Sequence, residues 1–152
     1  MEEVAGDIWE YSAKNKCIVV IPVNGFVKNN GMAVMGRGLA REASKKFPKL
    51  PVALGYHIKH YGNDVHYFED FNIISFPVKY NWWENADIEL IRRSSRQLKF
   101  LNSDNLFAEH NKLICMPHVG CGNGKLLWKD VKPIIETYLS EFDNIVICDK
   151  VE

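Results

Sequence analysis

The sequence has no surplus of either charge: nineteen lysines and arginines stand against nineteen aspartates and glutamates, a formal net charge of zero. The total therefore predicts no strong sequence-independent attraction to nucleic acid, and such a partner would have to be recognised through a local basic patch. Long hydrophobic segments are missing too. The apolar run from Ile18 to Pro22 falls far short of the roughly 20 residues that cross a bilayer, and Met1-Glu2-Glu3 has neither the basic nor the apolar character of a signal peptide. These absences point to a soluble, cytoplasmic protein with no membrane partner. The four cysteines, Cys17, Cys115, Cys121 and Cys148, form no Cys-x-x-Cys pair and no Cys/His cluster of zinc spacing. No metal and no disulfide is expected, and Cys17, Cys115 and Cys148 lie in apolar runs where a free thiol acts as a small buried hydrophobe. There is no Gly-Lys-Ser/Thr phosphate loop and no dinucleotide-binding glycine fingerprint, which argues against a kinase or an ordinary dehydrogenase. No linker, repeat or low-complexity segment divides the 152 residues, so one domain over 1–152, acting as a monomer, is expected.

What is present alternates strand and helix patterns. Residues 2–12 read as a strand interrupted near Gly6-Asp7, and Lys16 to Val23 is a β-branched run typical of a strand buried on both faces. A polar, glycine-rich loop from Asn24 to Gly38 leads into a helix with apolar spacing at Leu39, Ala43 and Phe47, which Pro48 and Pro51 terminate. A short helix follows around Val52 to His60, then a hairpin of Val65 to Phe68 and Phe71 to Phe76. Asn85 is the expected N-cap of a helix to about residue 101. Leu113 to Met116 is a strand, His118 to Lys125 a glycine-rich loop, Lys129 to Ser140 a helix with Pro133 in its first turn, and Asn144 to Cys148 the last strand. This succession predicts an α/β sandwich with ligand binding in the crevice beyond the strand ends.

Both glycine-rich loops leave a strand and open a helix. In that context free backbone N–H groups and the positive end of the helix dipole converge on one spot, which suits a phosphate. Tight-turn geometry alone explains glycines in either loop; two in the same context favour a phosphate-bearing ligand held from both sides. Lys79 follows a buried strand and neighbours Tyr80, Trp82 and Trp83. Partial desolvation there would lower its pKa and make it a nucleophile, the alternative being a solvated loop lysine. Asp7 suits either an acceptor for an adenine amine or a turn residue beside Gly6. His118 and Cys121 are loop neighbours without a visible third orienting group, which disfavours a Cys–His nucleophile. The Trp82-Trp83 pair suits a cover over a base or ribose, or aromatic core packing.

Gly6-Asp7-Ile8, Val23-Asn24, Val34-Met35-Gly36-Arg37-Gly38-Leu39-Ala40, Phe76-Pro77-Val78-Lys79 and Gly120-Cys121-Gly122-Asn123-Gly124 before Trp128, in that order over nearly the whole chain, resemble a macrodomain. The likeness is greatest to the branch containing the terminal ADP-ribose protein glycohydrolase and the DarG antitoxin macrodomain, which removes ADP-ribose from DNA. The resemblance implies a three-layer α/β/α sandwich with a central mixed sheet, and an ADP-ribosyl hydrolase whose ligand or product is ADP-ribose, with no further cofactor. The substrate would be an ADP-ribosylated macromolecule, DNA or protein; a small derivative such as ADP-ribose 1″-phosphate and a non-catalytic ADP-ribose binder are the alternatives. By position, Asp7 and Ile8 would hold the adenine and Asn24 would face the distal ribose. Gly31, Met32, Ala33, Val34, Met35, Gly36, Arg37, Gly38 and Leu39 would line the distal ribose and phosphates. Gly120, Cys121, Gly122, Asn123, Gly124 and Lys125 would wrap the diphosphate, and His118 would also contact the ligand. Lys79 would be the catalytic nucleophile. The family's Met-Gly-Lys-Gly is Met35-Gly36-Arg37-Gly38 here, Phe-Pro-Thr-Lys is Phe76-Pro77-Val78-Lys79, and the glycohydrolase's acidic residue of the second loop is Gly124. That glycine makes the antitoxin type the better fit.

Overall fold

A computed structural model describes residues 1–103 and 112–150. Strands β1 (Glu3–Ala5), β2 (Cys17–Asn24), β3 (His66–Phe68), β4 (Ile73–Lys79), β5 (Leu113–Met116) and β6 (Ile145–Asp149) make one sheet in the order β1-β6-β5-β2-β4-β3. All neighbours run parallel except β3 against β4, so the sheet is mixed. Helices α1 (Ile8–Asn15), α2 (Gly38–Lys46) and α3 (Leu50–Tyr61) cover one face, and α4 (Ile88–Ser103) and α5 (Trp128–Leu139) the other.

The unbroken apolar character of β2 has its cause in these layers. Ile18 and Val20 pack with Ile91 and Leu98 of α4 and Val131 and Ile135 of α5. Cys17, Val19, Ile21 and Val23 pack with Ile8 of α1, Ala40 and Ala43 of α2, and Leu50 and Leu54 of α3. A strand covered on both faces needs apolar residues at every position, not at alternate ones. No helix among the described residues is long and apolar enough to cross a membrane.

Several boundaries depart from the sequence expectation. Residues 2–12 are not one strand: β1 ends at Ala5, Gly6 turns the chain with φ of 156°, and Asp7 caps α1. The Asp7 Oδ1 accepts from the N–H groups of Trp9 (2.9 Å) and Glu10 (3.1 Å). Asp7 with Glu10 three positions later has the spacing of a capping box, the local signal that starts a helix here. The cap of α4 is Asp87, whose Oδ1 accepts from Glu89 N at 2.8 Å, and not Asn85. Pro133 is the sixth residue of α5 and lies in its second turn. Helix α3 begins at Leu50, because Pro51 in its first turn costs no hydrogen bond. Strand β4 begins at Ile73, after a 3-10 turn and an Asn72 with φ of 57°, and runs on to Lys79. It does so because it pairs with β2 to the end, with a register shift between Val23 and Asn24 that sets Lys79 opposite Asn24. Trp82 and Trp83 are exposed, so core packing does not explain them.

Candidate functional site

The carboxyl ends of the five parallel strands open onto one cleft of about 690 Å³, within the usual range for small-molecule sites. Its floor is made by Val23 and Asn24 of β2, Val78 and Lys79 of β4, Pro117 and His118 after β5, Cys148 and Asp149 of β6, and Gly6 and Asp7 after β1. From β1 to β4 is four strand spacings, about 19 Å at ~4.8 Å each. A ligand filling it would be much longer than a single phosphate.

Two loops form the lips. The first contributes Val34, Met35, Gly36, Arg37, Gly38 and Leu39, the second Gly120, Gly122, Asn123 and Gly124. They approach closely: a Cβ at Gly38 would stand 3.2 Å from the Asn123 side-chain amide. Helix α2 starts in the first lip without a cap, since Arg37 makes no side-chain cap bond and the first turn holds no acidic residue. Helices α1 and α4, by contrast, have Asp7 and Asp87 over their first N–H groups. The free N–H groups of α2 and its dipole face the cleft uncompensated, an arrangement suited to an anion.

Five residues expected at the ligand stand back from the cleft. Gly31, Met32 and Ala33 form the outer arm of the first loop, which α3 braces: Ala33 N–H donates to Pro51 O at 2.9 Å, and a Cβ at Gly55 would collide with Gly31 O. Cys121 turns inward, its Sγ 3.5 Å from Val119 O, and Lys125 is exposed, with φ of 64°, outside the cleft lining although its charge reaches Lys79. Burial, reinforced by Asp149 and Asp130, pushes the Cys121 thiol up to about 11. It is therefore protonated near neutral pH and no nucleophile. His118 is fixed otherwise, its ring stacked on Trp128 at 4.0 Å and its Nε2 and Nδ1 3.6 and 3.7 Å from the carboxylates of Glu3 and Asp149.

Asp7 and Asn24 each spend part of their hydrogen-bonding capacity on the fold. Asp7 caps α1 through Oδ1 and leaves Oδ2, 3.8 Å from Lys150 Nζ, toward the cleft. Asn24 Nδ2 donates to Val34 O at 3.1 Å and its Oδ1 accepts from Phe26 N–H at 2.9 Å, which pins the first lip to β2 and leaves one amide hydrogen over. Lys79 Nζ lies 3.5 Å from Asn123 O. Burial lowers its pKa first, and the positive charges of Arg37 and Lys125 lower it further against a weaker opposing effect of Glu84. At Gly124 a Cβ would collide with Gly120 O and stand 2.7 Å from Ala86 Cβ, so an acidic side chain does not fit this loop as it is folded.

The lining also contains residues that the sequence reading did not assign, among them Trp9, Phe26, Lys28, Asp149 and Lys150. Asp149 and Lys150 follow from one rule, that every parallel strand delivers its carboxyl end to the crevice. Trp9 and Phe26 had no local signal.

No family model and no curated protein matches the chain. Among solved structures, the macrodomain of Mycobacterium tuberculosis DarG matches with a TM-score of 0.78 at 20% identity, over 99% of this chain and 97% of that one. The macrodomain of Thermus aquaticus DarG matches at 0.76 and 22% identity, again over 99% and 97%. Thermosipho africanus DarTG in complex with ADP-ribose matches at 0.75 and 21% identity, over 98% of this chain and 41% of the longer one. The chain has the macrodomain fold.

Proposed function

We propose that this protein hydrolyses the bond between ADP-ribose and a modified macromolecule, with Lys79 as nucleophile. The observation that carries the reading is the position of Lys79: an amine at the end of β4, in the cleft, with a pKa lowered by burial and by two neighbouring cations. A structural neighbour with the same fold holds ADP-ribose. The cleft here suits that ligand, with Asp7 and Ile8 at one end, the uncapped start of α2 and the glycines of the second lip for the diphosphate, and Asn24 and Lys79 at the other end.

In the proposed step the neutral Lys79 amine attacks the anomeric carbon of the distal ribose. The bond to the leaving atom breaks and that atom takes up one proton of the amine; the ring C–O bond then opens, the ring oxygen takes up the other proton, and the opened ribose is held as an imine. Water then adds to the imine carbon, releasing ADP-ribose and regenerating the amine, so the net consumption is one water. Backbone N–H groups of the two lips would hold the diphosphate while this occurs.

The test is a turnover panel of ADP-ribosylated DNA, ADP-ribosylated protein and ADP-ribose 1″-phosphate on wild type and Lys79→Ala. The variant should lose ADP-ribose release and keep ADP-ribose binding by calorimetry; unchanged turnover would sink the lysine mechanism. Phosphate release from the small compound alone would select that substrate. Binding without any turnover would make the protein a reader of ADP-ribose.

A further inference from the structure

Beside Lys79 the surface carries an aromatic group that the fold does not use. Trp82 is 45% and Trp83 60% exposed, and they stand perpendicular to each other with ring centroids 5.4 Å apart. Phe26, from the first loop, meets Trp83 edge-on at 5.6 Å. The two segments are tied by Gly25 N–H donating to Tyr80 O at 3.2 Å. Edge-on contacts hold the rings in place and leave ring faces available. Two large exposed tryptophans in contact form an apolar patch of the kind that marks a binding surface, and this one is continuous with the cleft, since Phe26 and Trp82 line it.

We infer that Trp82, Trp83 and Phe26 form a stacking platform for a base of the single-stranded nucleic acid to which ADP-ribose is attached. The inference rests on the functional reading above, which puts the bond to be cut at Lys79, three residues before Trp82. Phe26 and Trp82 line the same cleft as Lys79, so the group attached at that bond has these rings beside it. A planar base gains by stacking on an aromatic face, and a carboxylate does not, because the ring face is the negative side of its quadrupole; a basic protein side chain would gain by cation–π contact, which the peptide arm of the experiment below tests. Lys28 and Arg37, both exposed and both lining the cleft, add positive charge for a phosphate backbone. A platform of this kind also suits a chain of zero net charge, since stacking supplies affinity that bulk electrostatics would not.

The experiment uses Lys79→Ala, so that substrate is bound and not consumed, and reads tryptophan fluorescence and Kd. Its probes are free ADP-ribose, a short DNA oligonucleotide with ADP-ribose on one base, and an ADP-ribosylated peptide. The oligonucleotide should bind about tenfold more tightly than free ADP-ribose, the size of one base stack, with quenching of tryptophan emission. That gain should vanish when Trp82→Ala and Trp83→Ala are added and largely return with Trp82→Phe and Trp83→Phe. A gain that survives loss of both tryptophans, no gain at all, or a larger gain with the peptide overturns the inference. If the gain behaves as expected while wild type releases ADP-ribose from nothing, the hydrolytic reading fails and the platform stands. If free ADP-ribose does not bind, both fall.

Discussion

Lys79 is where the chemistry of single residues can be read most directly. Its ammonium is disfavoured by burial first and by Arg37 and Lys125 second. In the proposed mechanism the neutral amine is the reactive form, so the rate should rise with pH through the lowered pKa and level off above it. Arg37→Ala removes one of the two cations and should move that rising limb to higher pH, read from kcat against pH. A limb that stays in place would mean that Arg37 acts on the phosphates and not on the amine. Other chemistry-bearing residues of the sequence turn out to be inert. Cys17, Cys115 and Cys148 are buried free thiols, all with pKa values raised by burial, and Cys121 is a protonated thiol facing inward.

At the scale of elements, α1 and α3 each have a double duty. Asp7 both caps α1 and lines the cleft, and two substitutions separate the roles. Asp7→Ala should cost about 1 kcal/mol in denaturant unfolding through loss of the cap, whereas Asp7→Asn keeps a capping oxygen and should be nearly neutral. If the carboxylate also meets the adenine, both variants should lose ADP-ribose affinity in calorimetry. Helix α3 braces the first lip through Pro51 O and Gly55. Within a helix, Gly→Ala ordinarily stabilises by about 1 kcal/mol. Here the added methyl would strike Gly31 O and stand 2.9 Å from Ala33 N. Gly55→Ala should instead destabilise, by about 1–3 kcal/mol in the manner of an overpacked site, and weaken ADP-ribose binding by displacing the lip. A gain in stability would show that the loop yields freely.

For the whole molecule, the histidine pair between α3 and β3 predicts one part of the response to acid. His57 is 9% exposed, its ring stacks on His66 at 4.0 Å, and its Nε2 has no partner among the described residues. Burial lowers both pKa values; His66 lowers that of His57 further, against Asp64, which is itself paired with Arg93. As pH falls through about 6.5 the unfolded chain therefore takes up protons first. Stability should decline from there until the lowered folded values are passed, visible as a fall in the urea midpoint between pH 7.5 and 5.5. His57→Phe should reduce that fall, and an unchanged fall would place the acid sensitivity elsewhere.

Much of this architecture was legible in the residues. The unbroken apolar run of β2, the prolines after α2 and the strand-loop-helix placement of both glycine-rich loops announce a doubly covered sheet with a crevice at its strand ends, because burial on two faces and helix termination leave marks in local sequence. The capping-box spacing at Asp7 and Glu10 was as local, yet it sat inside a stretch that also reads as a strand. Only the tertiary structure decided which groups meet. That Gly31, Met32, Ala33, Cys121 and Lys125 stand back from the cleft, that Phe26 reaches Trp83, and that Asn123 and Lys79 face each other depend on loops packed against distant segments. Those contacts are set by steric fit between residues far apart in the chain, and no local pattern records them.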